Sequence, residues 1–441
     1  MTSVVSKYIS VFNAKQFKES VSEPSSSNVY LTFGKVIPWN NESSPDQANT
    51  SFSSYYEVWR NMVGAKRLTG NEIRHCVPRF DWTANSVYYA YDNLTDSNEL
   101  KNGTNQFYVL TDDFNVYKCL ANNYGANSST KPTSTITTSS FQTSDGYIWK
   151  YMYTLTAEER LRFLTPLYMP VKTLAFDDNS TQWQVQDNSI EGAIHSIVLT
   201  NAGSGYTSNN ITITITGDGT DCNAYAVRNV TTNTISNIVV DNKGAQYTFA
   251  NVTITGDGTN ANARAIISPT LGHGSDPLTE LGGSNLILNP QFFSSESDTI
   301  ITNNDFRQIT LLEDPLKFGS TEVMSNTVVD QTLTLTLSGD IAINYIEDEY
   351  VYQGANLSSS TFKGIIAKWD STNNIMKLVN TEGSPTYDLV IGDTSGSNKF
   401  LSYIENPEMK RYTGKLLYIN NIEPIERAID QTENFQIILK F

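Results

Sequence analysis

The sequence predicts a mainly β protein: a β-sandwich core with a few peripheral helices, discontinuous in sequence, plus two small β insertion domains. Three observations carry this. Aromatic residues make up 11% of the 441 residues (24 Tyr, 19 Phe, 6 Trp) and stand among many Thr, Val and Ile, the side chains that suit a pleated, half-buried surface. The last segment, 435–441, alternates: Phe435, Ile437, Leu439 and Phe441 fall on one face, Gln436, Ile438 and Lys440 on the other, with Ile438 the one exception. A chain end this apolar frays unless a strand pairs with it, so the C-terminus is expected to close a core built from earlier segments. Finally, residues 194–267 are an internal duplication. A chain of 441 residues is long for one compact core, and two or three domains are expected.

Taken in order, residues 13–21 read as a short helix capped by Asn13, with Phe17 and Val21 on one face, and the Ser-rich link 23–27 ends it. Residues 28–35 alternate as a strand and run into Pro38-Trp39, followed by a polar loop over 40–51. Residues 53–63 read as a second helix, capped by Ser53 or Ser54, with Tyr55, Val58, Trp59 and Met62 as its apolar stripe and Gly64 as its stop. Pro78 places the segment 73–82 at a sheet edge. Residues 87–91, 106–110 and 115–120 read as strands, the last two joined by a turn at Asp112-Asp113, and 122–143 as an exposed loop. Residues 145–154 form the most aromatic strand, after which Thr156 and Glu159 supply a capping box for a third helix that ends before Pro166.

In the duplication, Ile194, Ile197, Gly203 and Tyr206 recur 41 residues later as Ile235, Ile238, Gly244 and Tyr247. Gly217-Asp218-Gly219-Thr220 recurs 39 residues later as Gly256-Asp257-Gly258-Thr259, and Ala224, Ala226 and Val227 match Ala263, Ala265 and Ile266 at that same offset. Each copy reads as strand, glycine-rich turn, long alternating strand, tight Gly-Asp-Gly turn and small-residue strand, too light in large apolar groups to stand alone. Residues 286–318 return to core character, with a strand over 305–312. Residues 327–399 read as a further insertion, with strands at 332–337, 350–353, 364–369 and 375–379 and a turn at 370–374, the spacing of a small barrel or sandwich. A strand at 414–420 stops at Asn420-Asn421, and 427–433 form a polar turn before the closing strand. The division expected is a core of 1–187 with 272–324 and 404–441, an inserted duplicated β-repeat region over 188–271, and an inserted barrel or sandwich module over 325–403.

The formal charge is −16, from 46 acids and 30 bases, and no Lys/Arg cluster offsets it, so no nucleic-acid partner is expected. Cys76, Cys119 and Cys222 are odd in number and widely spaced, which gives neither a disulfide framework nor a zinc pattern; buried free thiols in a reducing compartment are expected. No charged start followed by an apolar stretch opens the chain, and no apolar run nears the ~18 residues of a bilayer span, so a soluble chain with no membrane partner is expected.

Candidate chemistry is sparse. His75, His195 and His273 stand alone, without a second His or a Cys at metal spacing, Cys76 alternating to the opposite face from His75. Ser204, in Gly203-Ser204-Gly205, lacks the flanks of a nucleophile elbow, and Ala245 fills its slot in the second copy. Asp218 and Asp257 offer one ligand each where calcium takes about 6–8 oxygens, and hairpin turns needing positive φ account for their flanking glycines. Glu158-Glu159 and Glu347-Asp348-Glu349 are carboxylate sets of the kind glycoside hydrolysis uses. The first opens a helix, where acids favour the dipole, and the second reads as a solvated strand approach. No phosphate-binding glycine loop appears. Tyr206 and Tyr247 offer rings to a sugar if exposed, but read as covers over the glycine-rich turns of their own repeats. No catalytic, cofactor-binding or metal residue is assigned, and no cofactor is expected.

Four stretches go together: Tyr30-Leu31-Thr32-Phe33-Gly34 with Pro38-Trp39; Val77-Pro78-Arg79-Phe80-Asp81-Trp82; Asp145-Gly146-Tyr147-Ile148-Trp149; and Phe306-Arg307-Gln308-Ile309. With Ile429-Asp430-Gln431-Thr432-Glu433 ahead of a strand ending in Phe441, they resemble the dimer-forming baseplate wedge protein of T-even-type contractile-tailed bacteriophages. The resemblance spans roughly 5–185, 286–320 and 405–441 and departs at the duplicated region and at 327–399, which resemble small modules of phage virion proteins. It implies a β-sandwich core, a homodimer, docking against other baseplate wedge proteins, a place in the virion tail baseplate after assembly in the host cytoplasm, and no enzymatic chemistry. The role would be mechanical, with rearranged subunit contacts accompanying tail contraction. The competing expectation is a carbohydrate-binding or depolymerising virion adhesin, resting on the Asn/Thr-rich repeats and their tyrosines.

Overall fold

A computed structural model describes residues 6–23, 27–95, 106–296, 299–339, 344–430 and 432–441. Positions 24–26 of the link and Gln431 of the 427–433 turn lie outside the described residues, as do positions 1–5 at the start of the chain. The chain is mainly β, at 43% strand and 13% helix, with several sheets and a small closed barrel. It divides into two compact units: Met1–Gln16 with Arg74–Leu288 and Ile437–Phe441, and Phe17–Ile73 with Asn289–Gln436.

Helix α1, Lys7–Ser22, starts well ahead of Asn13 because Ser10, Val11 and Ala14, spaced along one face, are buried as well. Strand β1 is Val29–Gly34. Helix α2, Phe52–Asn61, is capped by Ser51, whose hydroxyl accepts from the Ser54 N–H at 3.2 Å, rather than by Ser53 or Ser54. It stops before Met62, which turns extended and begins β2, Met62–Arg67, a strand hidden in the sequence because its apolar residues continue the helical stripe. Strand β3 is Ile73–Pro78; residues 87–91 form no strand. Next come β4 (Tyr108–Leu110), β5 (Asn115–Ala121), β6 (Phe141–Gln142) and β7 (Ile148–Thr154). The Thr156/Glu159 capping box opens α3, Ala157–Phe163, as its sequence pattern requires. There follow β8 (Tyr168–Pro170), α4 (Thr181–Asp187), β9 (Ile194–Ser204), β10 (Thr212–Gly217), β11 (Thr220–Asn229), β12 (Thr234–Ala245), β13 (Ala250–Thr255), β14 (Thr259–Ile267) and α5 (Pro277–Glu280). The remainder is strand: β15 (Asn285–Leu288), β16 (Gln291–Phe292), β17 (Asp305–Glu313), β18 (Val328–Asp330), β19 (Leu333–Ser338), β20 (Tyr350–Gln353), β21 (Phe362–Asp370), β22 (Ile375–Gly383), β23 (Leu389–Gly392), β24 (Asn398–Glu405), β25 (Lys415–Glu426), β26 (Glu433–Asn434) and β27 (Ile437–Lys440).

The unit containing β1 holds a five-stranded sheet in the order β18-β2-β1-β17-β25. β1 is buried at every position, so both its faces are covered. Tyr30 packs with Trp59, Leu312 and Val329 on one side, while the Phe33 ring meets Phe292 and Phe306, each at 5.2 Å, on the other. β25 runs straight through Asn420-Asn421 to Glu426, because β17 offers it a partner along that length. The polar turn expected at 427–433 is anchored inward: Arg427 is buried and donates to the carbonyls of Ile300 and Phe293 and to Glu433. In the same unit β19-β22-β21-β20-β23-β24 close a barrel around Leu335, Val351, Ile366, Met376, Leu378 and Val390.

The other unit holds the sheets β4-β5-β7-β6 and β27-β15-β3-β8. β3 therefore lies inside its sheet, not at an edge; Pro78 is tolerated because it is the last residue of the strand, opposite Tyr168. β27 takes the edge against β15, with Leu286↔Leu439 and Ile287↔Ile438 in register, and this is how the apolar chain end is held.

The duplicated region exchanges strands between its copies. β11 of the first copy pairs with β12 of the second, and β14 of the second with β9 of the first. β10 and β13 pair antiparallel about Thr214↔Thr253, Ile213 meeting Ile254 and Ile215 meeting Val252. The light units thus bury their small apolar faces on each other. Gly217, Gly219, Gly256 and Gly258 are not in the left-handed region; that conformation falls to Asp221 and Asn260, both at φ 63. The glycines are needed for space. A Cβ on Gly219 would lie 2.4 Å from the Tyr247 ring, and one on Gly258 would lie 2.5 Å from the Tyr206 ring. Each tyrosine therefore covers the Gly-Asp-Gly turn of the other copy, and the Tyr206 ring also covers the glycine-rich turn of its own, where a Cβ on Gly203 would lie 2.8 Å from it.

Candidate functional site

The centre of the unit built on β4-β5-β7-β6 carries an unusual set of charges. β5 and β7 each place a lysine on a face of otherwise apolar side chains: Lys118 falls between Val116 and Leu120, and Lys150 between Ile148 and Met152. Lys118 and Lys150 are directly opposite each other in the ladder, and both are buried. Lys118 pairs with Glu280 of α5 at 2.6 Å and lies over the Tyr91 ring at 4.2 Å. Lys150 donates to the Thr137 carbonyl at 2.9 Å, and Lys243 of β12 to the Ser140 hydroxyl at 2.7 Å. Burial, aided by the nearby Lys243, lowers Lys150 to about 8.

The structure brings two of the histidines expected to stand alone against this cluster. The His195 and His273 rings meet edge to face at 4.8 Å, and His273 meets Tyr91 at 4.8 Å. Burial first, and then the lysines, hold His195 down at about 3 and His273 well below its usual value, so both imidazoles are neutral at pH 7. The Nδ1 atoms of both are buried without a hydrogen-bond partner among the described residues. His195 also lines a cavity of about 330 Å³, walled by Tyr91, Asp92, Tyr124, Gln142 and Asn237 among others. At its rim Tyr124 sits at φ 58, in the left-handed region, and hydrogen-bonds Asn237, while Arg264 grips Asp92 at 2.5 Å. Sequence reading passed over Lys118, Lys150, Lys243 and Glu280; a lysine at an inward position of two neighbouring apolar strands was the available signal.

The other candidates are placed elsewhere. His75 is buried, its Nδ1 3.0 Å from the Gly283 carbonyl. Cys76, Cys119 and Cys222 are free and buried, and burial raises all three thiols, Cys222 to about 11, which leaves them unreactive. Ser204 is exposed at the end of β9, opposite Thr259. Asp218 accepts from the Thr248 side chain and the N–H groups of Thr248 and Phe249, and Asp257 accepts from Thr207 and Ser208 in the same way. Glu159 caps its helix and pairs with Lys172 at 3.0 Å; Glu158 pairs with Arg162. Glu349 is not solvated, as the sequence led us to expect, but buried, and it ties down a loop by accepting from Ile346, Thr394 and Ser395. Glu347 accepts from Trp369 N–H and pairs with Lys368. Tyr206 and Tyr247 are buried, 2% and 5% exposed, so neither offers a ring to a sugar. No helix among the described residues is long and apolar enough to cross a membrane. No protein-family model matches the chain, and no curated protein matches it at a significant level.

Proposed function

We propose that the chain is a structural, non-catalytic subunit of a contractile phage tail, a baseplate wedge component that holds its neighbours in one arrangement. The observation that carries this reading is the pairing of β1 with β17. These strands contain two of the stretches on which the family resemblance rests, yet Thr32 and Thr310, 278 residues apart, join hydroxyls at 2.5 Å in the sheet interior. Most of the two departures from the family pattern folds as self-contained sets: β9 to β14 pair among themselves and β19 to β24 close on themselves, while β18, at the start of 327–399, joins the scaffold sheet beside β2. That is the arrangement expected of a common scaffold carrying added modules. In this reading the partners are a second copy of the chain and other wedge subunits, and contraction rearranges the contacts between them.

The test is co-elution. The full chain is mixed with the other wedge subunits of the same tail, and sized alone by light scattering. A monomer that binds none of them overturns the proposal. With Tyr206 and Tyr247 buried, the adhesin alternative rests on the Asn/Thr-rich repeats, and reproducible sugar binding on a glycan array would favour it.

A further inference from the structure

We infer that Lys118, Lys150 and Lys243, with His195 and His273, form an internal binding site for a compact oxyanion of phosphate type. The charge balance is the starting point. Lys118 is paired with Glu280, whereas among the described residues Lys150 and Lys243 bond to neutral oxygens, which leaves two positive charges without a paired carboxylate. Glu280 has no capacity to spare: one oxygen takes Lys118 at 2.6 Å, and the other takes the N–H groups of Gly274 at 2.7 Å and Asp276 at 3.2 Å. The remaining charges nearby do not alter the balance, because Lys7 faces Glu280 together with Asp276, and Arg264 is paired with Asp92.

Lys118 and Lys150 are cross-strand neighbours, a placement in which like charges repel unless something negative lies between or beside them. Among the described residues Lys150 and Lys243 each make a single hydrogen bond, to a neutral oxygen, although an ammonium carries three donors. Beside them, two buried imidazoles each keep an Nδ1 with no partner. Buried polar atoms in native proteins are ordinarily satisfied, so this many spare donors in one place calls for an acceptor. In the Nδ1–H tautomer both histidines become donors too. With Glu280 already saturated, the spare groups that converge are then ammonium and Nδ1–H donors, which suits an oxyanion. A dianion matches the two uncompensated charges, and His195 is the member of the set that also lines the cavity of about 330 Å³. Phosphate contact through lysine and backbone-rich pockets usually relies on a glycine loop; here the strand ladder sets the spacing instead.

The experiment uses the full chain, dialysed exhaustively into phosphate-free buffer. Inorganic phosphate is titrated by calorimetry at fixed ionic strength, and phosphate released from the same sample on acid denaturation is counted as bound. One equivalent per chain is expected, with acetate at the same ionic strength binding at least tenfold more weakly. Lys150→Met and Lys243→Met should each weaken phosphate at least tenfold; Lys243 is only half-buried, so its variant folds even if the other does not. Less than one equivalent bound plus released, equal binding of acetate, or phosphate affinity unchanged in Lys243→Met would each overturn the assignment.

Discussion

The exchange of strands between repeats makes a prediction that a simple tandem repeat would not. Tyr206 belongs to the first copy, yet its ring fills the space over Gly258 of the second. Adding a methyl group at Gly258 puts carbon 2.5 Å from the ring and 2.7 Å from the Ser204 carbonyl. Overpacking of this kind costs ~1–3 kcal/mol, and with a backbone atom also in the way Gly258→Ala should fall in the upper half of that range. Tyr206→Ala removes a fully buried aromatic side chain, at about 3–5 kcal/mol. In the double variant the ring is gone and only the carbonyl clash remains, so the two costs should fall short of additivity by about 1–2 kcal/mol. Tyr206→Ala with Gly219→Ala should instead be additive within ~0.5 kcal/mol, since the methyl at Gly219 meets Tyr247. A chain of two units is a poor two-state system, so the free energies are best read locally, by hydrogen exchange of peptides covering residues 212–255. Coupling of Tyr206 with Gly219 rather than Gly258 would refute the exchanged topology.

Three further outcomes follow from the same geometry. Arg427→Met leaves the Ile300 and Phe293 carbonyls without their buried donor and Glu433 without its partner, and should lower local stability by about 3–5 kcal/mol, read by hydrogen exchange of peptides covering residues 299–309, with Arg427→Lys recovering little because it cannot reach three acceptors at once. Thr156→Ala removes the capping-box hydroxyl and should cost ~1 kcal/mol, seen as faster amide exchange at Glu159. Asp218 is held below its ordinary 3.8, at about 2, chiefly by the Thr248 hydroxyl, so its contribution is complete above pH 3.8 and is lost as pH falls through about 2. The Thr248 and Phe249 amide resonances should shift across that window, and Asp218→Asn should abolish the transition.

Where one local signal decided the outcome, the sequence was explicit. The capping box at Thr156 and Glu159, the alternation that seats β27, and the 39-residue echo of Gly-Asp-Gly-Thr all survive in the structure because each depends on neighbours in the chain or on strand period alone. The errors share a different origin. Met62 continues the helical stripe of α2 yet opens β2, since pairing with Gly34 across the sheet outweighs a weak helical preference. Pro78 read as an edge signal, but it closes the interior strand β3, opposite Tyr168. At the candidate site the decisive fact is that His195 and His273, 78 positions apart in sequence, meet ring to ring close to lysines from three strands. No spacing rule encodes that, because the meeting is made by the fold of the repeats over the β4-β7 sheet.

The embrace of β1 by β17 also fixes a timetable for biosynthesis. A ribosome adding ~5–20 residues per second delivers Thr310 roughly 15 s to a minute after Thr32. Throughout that delay one flank of β1 has no permanent neighbour, and β25, which completes the same sheet, emerges later still. A nascent polypeptide in this condition offers an open ladder to any passing strand, so holdase chaperones should be found on ribosome-bound intermediates that have exposed residues 29–34 but not yet 305–313.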